Sequence, residues 1–152
     1  MKSAIIIFPG TNRDSDMVMA LEKISGIPPK KVWYNEGELP AVDLFVLAGG
    51  FAYGDYLRAG AMAARAPVIR ALADRANKGA AVLGVCNGFQ ILTEIGLLPG
   101  ALMRNTKLKF ICQNLDVRVE ETDSIFTKKY QPGQKLSFPV AHNDGNYFAD
   151  TA

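Results

Sequence analysis

Short apolar segments alternate with amphipathic ones through most of the chain, and this order constrains the fold more than any other feature of the sequence. The apolar runs contain mostly Val, Ile, Leu and Ala, as strands do when helices cover both faces of a sheet. Strands that alternate with helices are typical of a parallel sheet. We therefore predict an α/β fold with a doubly wound, mostly parallel sheet, whose strands are residues 3–8, 31–34, 44–47 and 80–85.

Helices are predicted between and after these strands, at residues 15–24, 59–77 and 87–95. In the second of them, apolar residues recur at helical spacing: Met62, Ala66, Ile69 and Ala73. Pro67 lies inside this stretch, where it lacks a backbone donor and clashes with the preceding turn. We expect Pro67 either to kink the helix or to divide it into two shorter pieces.

The character of the sequence changes after Gly96, where short β-rich segments are separated by polar turns. Residues 107–112, 115–119 and 135–141 predict antiparallel strands appended to the parallel sheet. Residues 120–134 are charged and include a Pro-Gly pair, so we interpret them as a solvated excursion. The sequence ends at Ala152 without a closing helix. We interpret residues 1–152 as one domain that is incomplete at its C-terminus.

Composition argues against several classes of function. Lysine and arginine total 17 against 15 aspartates and glutamates, so no strong field attracts nucleic acid or an anionic membrane. The apolar runs are far shorter than the ~20 residues that cross a bilayer, and the N-terminus lacks a secretory leader, so we expect a cytoplasmic protein. One histidine and two cysteines provide neither zinc-site spacing nor a disulfide framework. A functional cysteine would therefore act through thiol chemistry.

One cysteine lies between a predicted strand and a predicted helix, in the segment Gly84-Val85-Cys86-Asn87-Gly88. A nucleophile at such a turn is strained and closely approached by backbone, which Gly84 and Gly88 permit. The helix N-terminus favours the thiolate, and the backbone N–H of Asn87 would point at the oxyanion of a tetrahedral intermediate. We therefore predict that Cys86 attacks a carbonyl carbon. The alternative is a small buried cysteine at a strand end.

A glycine-rich segment, residues 49–55 (GGFAYGD), follows the strand at residues 44–47. Loops at the carboxyl ends of parallel strands line one crevice, so this loop should lie beside Cys86 and could supply a second oxyanion donor. It could instead cradle a phosphate or simply turn the chain. Because it matches neither a P-loop nor a GxGxxG fingerprint, nucleotide binding is disfavoured. Residues 9–12 (PGTN) should reach the same crevice and could contact substrate or form a plain turn.

These segments resemble the class I glutamine amidotransferases. Within that family the similarity is to the glutaminase subunits that serve formylglycinamidine ribonucleotide synthesis in de novo purine biosynthesis, and it covers nearly the whole chain. It is carried by residues 84–90 (GVCNGFQ), 96–102 (GLLPGAL), 49–60 (GGFAYGDYLRAG) and 8–12 (FPGTN), and by Asn105, Phe110 and Cys112.

The resemblance implies a flavodoxin-like glutaminase fold and the hydrolysis of glutamine to glutamate and ammonia. Cys86 would attack the side-chain amide of glutamine and form a thioester that water hydrolyses. Backbone groups of Gly50 and Asn87 would form the oxyanion hole, and Gln90 would hold the substrate. Ammonia would pass to a separate, ATP-using synthetase subunit, with a small accessory subunit as a further partner. This chain would itself need no cofactor, metal or nucleotide.

The sequence departs from the family at the catalytic histidine and glutamate. The family carries them in a Pro-His-Pro-Glu-Arg motif well beyond the region that corresponds to residues 141–148, and no such motif occurs in these 152 residues. The single histidine, His142, could be recruited as a base together with Asp144, although a turn histidine usually serves structure. Two alternatives to an active glutaminase are a non-catalytic domain that docks on the synthetase and a different cysteine hydrolase on the same scaffold.

Overall fold

The structure is a computed structural model that describes residues 1–150, and its chain divides into two units. The first unit comprises Met1–Leu102 and the segment that begins at Tyr147. The second unit is Met103–Asn146. Within residues 1–150, no helix combines the length and the apolar character that a bilayer span requires.

A four-stranded parallel sheet, in the order β2-β1-β3-β4, forms the centre of the first unit. Its strands are β1 (Ser3–Ile7), β2 (Lys30–Trp33), β3 (Leu44–Leu47) and β4 (Ala81–Gly84). Every residue of β1 and β3 is buried, whereas β4, at one edge of the described sheet, is half-buried. The predicted parallel sheet is confirmed, with each strand inside or within one residue of its predicted range.

Helices cover both faces of this sheet: α1 (Asp14–Ser25), α2 (Pro67–Asn77) and α3 (Asn87–Glu94). Successive residues of a strand point to opposite faces. Accordingly, Ala4 and Ile6 of β1 belong to the core formed with α2 and α3, while Ile5 and Ile7 pack in a second core with Leu21 of α1. The sheet is therefore doubly wound, as the near-continuous apolar runs predicted.

The predicted helix at residues 59–77 is correct only in its second half. Pro67 is the first residue of α2, and a short 3₁₀ turn, Ala63–Arg65, precedes it. Between them Ala66 is extended, with ψ 143°, because the proline ring disfavours the helical conformation in the residue before it. Two outcomes were expected from Pro67, a kinked helix or two shorter pieces, and the structure shows two shorter pieces. Proline is tolerated in the first turn of a helix but not inside it.

Two pairs of strands follow: the short β5 (Ala101–Met103) with β8 (Asn146–Phe148), and the longer β6 (Ile111–Arg118) with β7 (Lys135–His142). Strand β6 replaces the separate strands predicted at residues 107–112 and 115–119. The polar residues Gln113 and Asn114 pair with Val140 and Pro139 in the antiparallel ladder, so they do not form a turn. Residues 120–134 contain turns and are mostly exposed, which confirms the predicted excursion. Strands β5 and β8 were not predicted.

Candidate functional site

Cys86 lies in a sharp turn between β4 and α3. Its backbone has φ 53° and ψ −112°, a combination outside the regions that L-residues ordinarily adopt. Val85 donates its N–H to Leu47 O at 3.1 Å, which extends the β3–β4 ladder up to the turn. Cys86 O then accepts the N–H of Gln90 at 3.2 Å, as the helix begins. The predicted strand-to-helix turn is confirmed. Because Cys86 is exposed, the alternative of a buried cysteine is wrong.

Gly84 and Gly88 leave the space that this turn requires. A β-carbon at Gly84 would lie 2.7 Å from the backbone carbon and oxygen of Gly88. A β-carbon at Gly88 would collide with the carbonyl oxygen of Leu47 in β3. Backbone atoms would have to move in both cases, so α3 can pack this closely on β3 and β4 only with glycine at both positions.

The glycine-rich loop at residues 49–55 lies beside Cys86, as predicted. A β-carbon at Gly49 would be 3.3 Å from the β-carbon of Cys86. Gly50 has φ 134°, and Tyr53, Gly54 and Asp55 have φ of 55°, 69° and 51°. For Tyr53 and Asp55, which carry side chains, such conformations cost energy and persist only where the surrounding structure determines them. The contacts that support this loop are therefore part of the site.

The turn at residues 9–12 is one such support. Tyr53 donates its N–H to Pro9 O at 2.6 Å, and Phe51 donates its N–H to Gly10 O at 3.4 Å. A β-carbon at Gly50 would lie 2.6 Å from Asn12 N, so the two turns pack backbone against backbone. The turn thus positions the glycine-rich loop, and a direct contact between residues 9–12 and a substrate stays a prediction.

Aromatic packing supports the loop as well. The ring of Tyr53 meets that of Tyr34 edge to face, with centroids 5.9 Å apart and an interplanar angle of 86°. Its centroid is 6.4 Å from that of Phe8. Burial raises the pKa of Tyr53, and the neighbouring Tyr34 raises it further. The side chain of Tyr53 therefore fixes the loop to the end of β1 and to the residue after β2.

An ion pair ties the segment after the loop to α3. Arg58 Nε donates to Glu94 Oε2 at 2.8 Å, and Arg58 Nη2 donates to Glu94 Oε1. The hydrogen bond with Glu94, and then its charge, raise the pKa of Arg58. Nearby, a β-carbon at Gly60 would lie 3.0 Å from the backbone of Ile91. Both contacts keep this segment close to the helix that carries Gln90.

The predicted oxyanion donors belong to the two segments next to the nucleophile, α3 and the glycine-rich loop. Asn87 is the first residue of α3, so its backbone N–H belongs to the group that has no acceptor within the helix. Gly50 lies in the loop beside Cys86, and Gln90 is half-buried one turn along α3. The first unit therefore contains Cys86, Gly50, Asn87 and Gln90. Their roles as nucleophile, oxyanion donors and substrate-binding residue stay predictions.

Two polar side chains beside Cys86 were not singled out from the sequence: those of Asn87 and Asp55. Asn87 is 2% exposed, and its Nδ2 donates to Asp55 Oδ1 at 3.2 Å. A signal for this was available in the sequence. Close packing was predicted between Gly84 and Gly88, so a buried position for the polar residue Asn87 could have been considered, and a buried amide needs hydrogen-bond partners. Its partners, however, could not be identified from spacing.

His142 ends β7 in the second unit. Its Nδ1 is 3.1 Å from Asn105 Oδ1, and a β-carbon at Gly145 would collide with the imidazole ring. Asn105 is buried and also donates through Nδ2 to the carbonyl oxygens of Lys109 and His142, at 2.8 and 2.9 Å. The imidazole thus belongs to a local network that orders the turn after β7. Within residues 1–150, no cluster of three or more His, Cys, Asp or Glu side chains is arranged to bind a metal ion.

The chain is similar along its whole length to glutamine amidotransferases. A family model described as a CobB/CobQ-like glutamine amidotransferase domain matches residues 1–152. The phosphoribosylformylglycinamidine synthase subunit PurQ of Mesorhizobium japonicum is 61% identical over 150 residues, which are 99% of this chain and 68% of the relative. The subunit of the same name from Rhizobium johnstonii is 60% identical over 152 residues, 100% of this chain and 68% of the relative.

Solved structures share the fold. The structure of PurLQS from Thermotoga maritima superimposes with a TM-score of 0.92 at 42% identity, over 99% of this chain and 70% of that chain. A putative GMP synthase subunit from Thermoplasma acidophilum has a TM-score of 0.61 at 18% identity, over 95% of this chain and 66% of that chain. At that identity the second likeness concerns the fold alone. The α/β fold class predicted from the sequence is confirmed.

Proposed function

The chain belongs to the CobB/CobQ-like glutamine amidotransferase family, and we propose that it hydrolyses glutamine through Cys86, as the glutaminase subunit of a phosphoribosylformylglycinamidine synthase. The relatives with the synthase name are 61% and 60% identical along the chain, which supports this role and a part in purine biosynthesis. Residues 1–152 then belong to one glutaminase domain.

The observation that carries the catalytic proposal is the conformation of the Cys86 turn. An exposed thiol lies on a residue with φ 53°, at the N-terminus of α3 and next to the glycine-rich loop. A conformation of this kind costs about 1–3 kcal/mol and tends to occur where function requires it. A cysteine with only a packing role would be buried in an ordinary conformation. The turn is therefore best explained as a nucleophile elbow.

In the proposed reaction, Cys86 Sγ attacks the side-chain amide carbon of glutamine, and a carbon–sulfur bond forms. The amide oxygen becomes an oxyanion, which the N–H groups of Gly50 and Asn87 stabilise. The carbon–nitrogen bond then breaks, the nitrogen leaves as ammonia after gaining the proton lost by the thiol, and a γ-glutamyl thioester remains. Water hydrolyses the thioester to glutamate and restores the thiol. Gln90 holds the substrate during both steps.

The ammonia passes to a synthetase subunit that uses ATP to make formylglycinamidine ribonucleotide, and a small accessory subunit completes the assembly. The similarity to the PurLQS structure supports synthetase partners. The step performed by this chain is acyl transfer to a thiol, which by its chemistry consumes neither ATP nor a redox cofactor.

Labelling with a chloroketone analogue of glutamine tests this proposal. We expect one adduct by intact-mass spectrometry, located on Cys86 by peptide mapping. Cys86→Ser should abolish it, because an alcohol is far less ionised than a thiol. Cys112→Ser is the matched control, since Cys112 is also exposed and lies in the second unit. This control should react as the unsubstituted chain does.

Competition decides whether the labelled site is a glutamine site. Excess glutamine should slow the labelling of Cys86, whereas asparagine, one methylene shorter, should not. An adduct on Cys112, or labelling of Cys86 that glutamine fails to slow, would contradict the proposal.

A further inference from the structure

The side chain of Asn87 links the nucleophile turn to the glycine-rich loop. Its Oδ1 accepts the backbone N–H of Ala52 at 3.1 Å, in a buried contact. Its Nδ2 donates to Asp55 Oδ1 at 3.2 Å and to Gln90 Oε1 at 3.0 Å. The buried amide of Asn87 therefore connects the start of α3 to the glycine-rich loop and to Gln90 in the same helix.

The direction of each hydrogen bond follows from the groups involved. The backbone N–H of Ala52 can only donate, so Asn87 must present its oxygen to it. The Nδ2 of Asn87 therefore donates to the carboxylate of Asp55. It also donates to Gln90, which must present its amide oxygen Oε1 as the acceptor. The orientation of the Gln90 amide is therefore set by Asn87, and ultimately by a backbone donor of the loop.

These contacts meet the loop where its backbone is most strained. Ala52 and Asp55 are the ends of a short 3₁₀ segment whose inner residues, Tyr53 and Gly54, have positive φ. Asp55 itself has φ 51°. Because strained backbone persists only when its surroundings determine it, the hydrogen bonds at both ends of this segment bear directly on the position of the loop.

We propose that Asn87 is a positioning residue whose side chain keeps the glycine-rich loop, and with it the N–H of Gly50, at the place where an oxyanion on the Cys86 acyl centre is stabilised. This inference rests on the proposed function and adds a side-chain role to the backbone role of the same residue. A donor moved by about one ångström stabilises the transition state less while it changes substrate binding little. Loss of the Asn87 contacts should therefore lower the rate of acylation rather than the affinity.

Exchanging the two side chains tests the proposal. Asn87→Asp still accepts from Ala52, but it places a second carboxylate against Asp55, and like charges at this distance repel. The double variant Asn87→Asp/Asp55→Asn restores an amide–carboxylate pair with the donor and acceptor reversed. Asn87→Leu removes all three hydrogen bonds at similar volume, and it replaces Asn87→Asp in the comparison if the latter fails to fold.

Acylation is measured as the burst of 4-nitrophenolate from the γ-4-nitrophenyl ester of glutamate, and alkylation of Cys86 by iodoacetamide serves as the control. We expect Asn87→Asp to slow the burst about 100-fold, as loss of one oxyanion donor does. The ester concentration that gives a half-maximal rate should change less than about 3-fold, since it does not depend mainly on the oxyanion hole. A carboxylate at residue 87 also disfavours the Cys86 thiolate, so each burst rate is divided by the alkylation rate of the same variant. The double variant should recover most of the loss, which a merely structural effect would not produce.

Amide exchange of Ala52, followed by NMR, separates this inference from the proposed function. Exchange should be slow in the unsubstituted chain and fast in Asn87→Leu. If the ester fails to acylate the unsubstituted chain, the proposed function is wrong whatever the exchange shows. Equal burst rates in the unsubstituted chain and both single variants, or no recovery in the double variant, would overturn the role of Asn87 while the glutaminase proposal stands.

Discussion

The two units of the molecule differ in how completely their strands are covered. In the first unit every residue of β1 and β3 is buried. In the second unit every residue of β6 except Ile111 is exposed. Cys86 and the loop beside it belong to the well-packed unit, and His142 belongs to the other.

The difference follows from the type of sheet. Parallel strands joined by helices are covered on both faces, whereas a two-stranded antiparallel ribbon is marginal unless other elements pack on it. In β6 and β7 the apolar pairs Leu115–Phe138 and Val117–Leu136 are cross-strand neighbours, yet Leu115 remains 38% exposed and Phe138 49% exposed. The strained nucleophile turn is therefore built on the unit whose strands are buried, where packing can maintain it.

The absence of a paired proton acceptor beside Cys86, within the described residues of the first unit, should change the rate of glutamine hydrolysis more than any substitution below. We expect the 152-residue chain, assayed alone, to hydrolyse glutamine about 100 to 10,000-fold more slowly than a cysteine glutaminase with a positioned general base, because such a base contributes that much. The sequence has one histidine, and its Nδ1 is paired with Asn105 in the second unit. Coupled detection of glutamate measures the turnover, with Cys86→Ser as the blank.

The matched variant for this prediction is His142→Ala, which should leave the residual turnover unchanged. If the chain turned glutamine over at a substantial rate and His142→Ala abolished that turnover, His142 would be the general base, and this prediction would be wrong.

The backbone N–H of Gly50 should have the next largest effect on the rate of acylation. Replacing the amide at Gly50 by an ester, through semisynthesis with glycolic acid, should slow the 4-nitrophenolate burst about 100-fold by removing one oxyanion donor. Proline would be a poorer probe. It also removes the N–H, but it requires φ near −65°, whereas Gly50 has φ 134°. The same replacement at Gly37, which has no atom within 4 Å of a β-carbon position, is the control. An unchanged burst would remove Gly50 from the oxyanion hole.

Because the two units differ in packing, replacing leucine by alanine should lower the free energy of unfolding by different amounts in each. Leu72→Ala, in the fully buried core of the first unit, should lower the free energy of unfolding by about 3 kcal/mol. Leu115→Ala, on the exposed ribbon, should lower it by about 0.5 kcal/mol. Urea titration followed by circular dichroism measures both. Similar costs for the two variants would show that the ribbon is covered in solution.

The smallest effect concerns alkaline pH. Burial raises the pKa of Tyr53 in the folded chain above its unfolded value of 10.0. The folded state therefore holds this proton more tightly, so the associated stability is fully present below pH 10 and is lost as pH rises through the folded pKa. We expect a shallower loss of stability above pH 10 in Tyr53→Phe than in the unsubstituted chain, measured as thermal midpoints across that range. Identical alkaline profiles would indicate that the phenol remains solvated.

Local signals predicted most of the first unit. The apolar runs located β1 to β4, and the Gly84 to Gly88 segment located the turn that carries Cys86. Pro67 indicated a break but not its form, because a proline is compatible with a kink inside a helix or with the start of a new one. In the second unit, Gln113 and Asn114 suggested a turn that does not form. A ladder exposed on both faces tolerates polar residues, so polarity there does not predict a break.

The parallel α/β sheet, the strand-to-helix turn at Cys86 and the family could be predicted from the sequence, because each depends on residues that are near one another in the chain. Three features became visible only in the folded chain: the Asn87 side chain contacts Ala52 and Asp55, residues 9–12 support the glycine-rich loop, and β5 pairs with β8. Those contacts join segments far apart in sequence. Periodicity and turn signals describe the backbone within one segment, whereas the partner of a buried amide is set by how the packed core brings separate segments together.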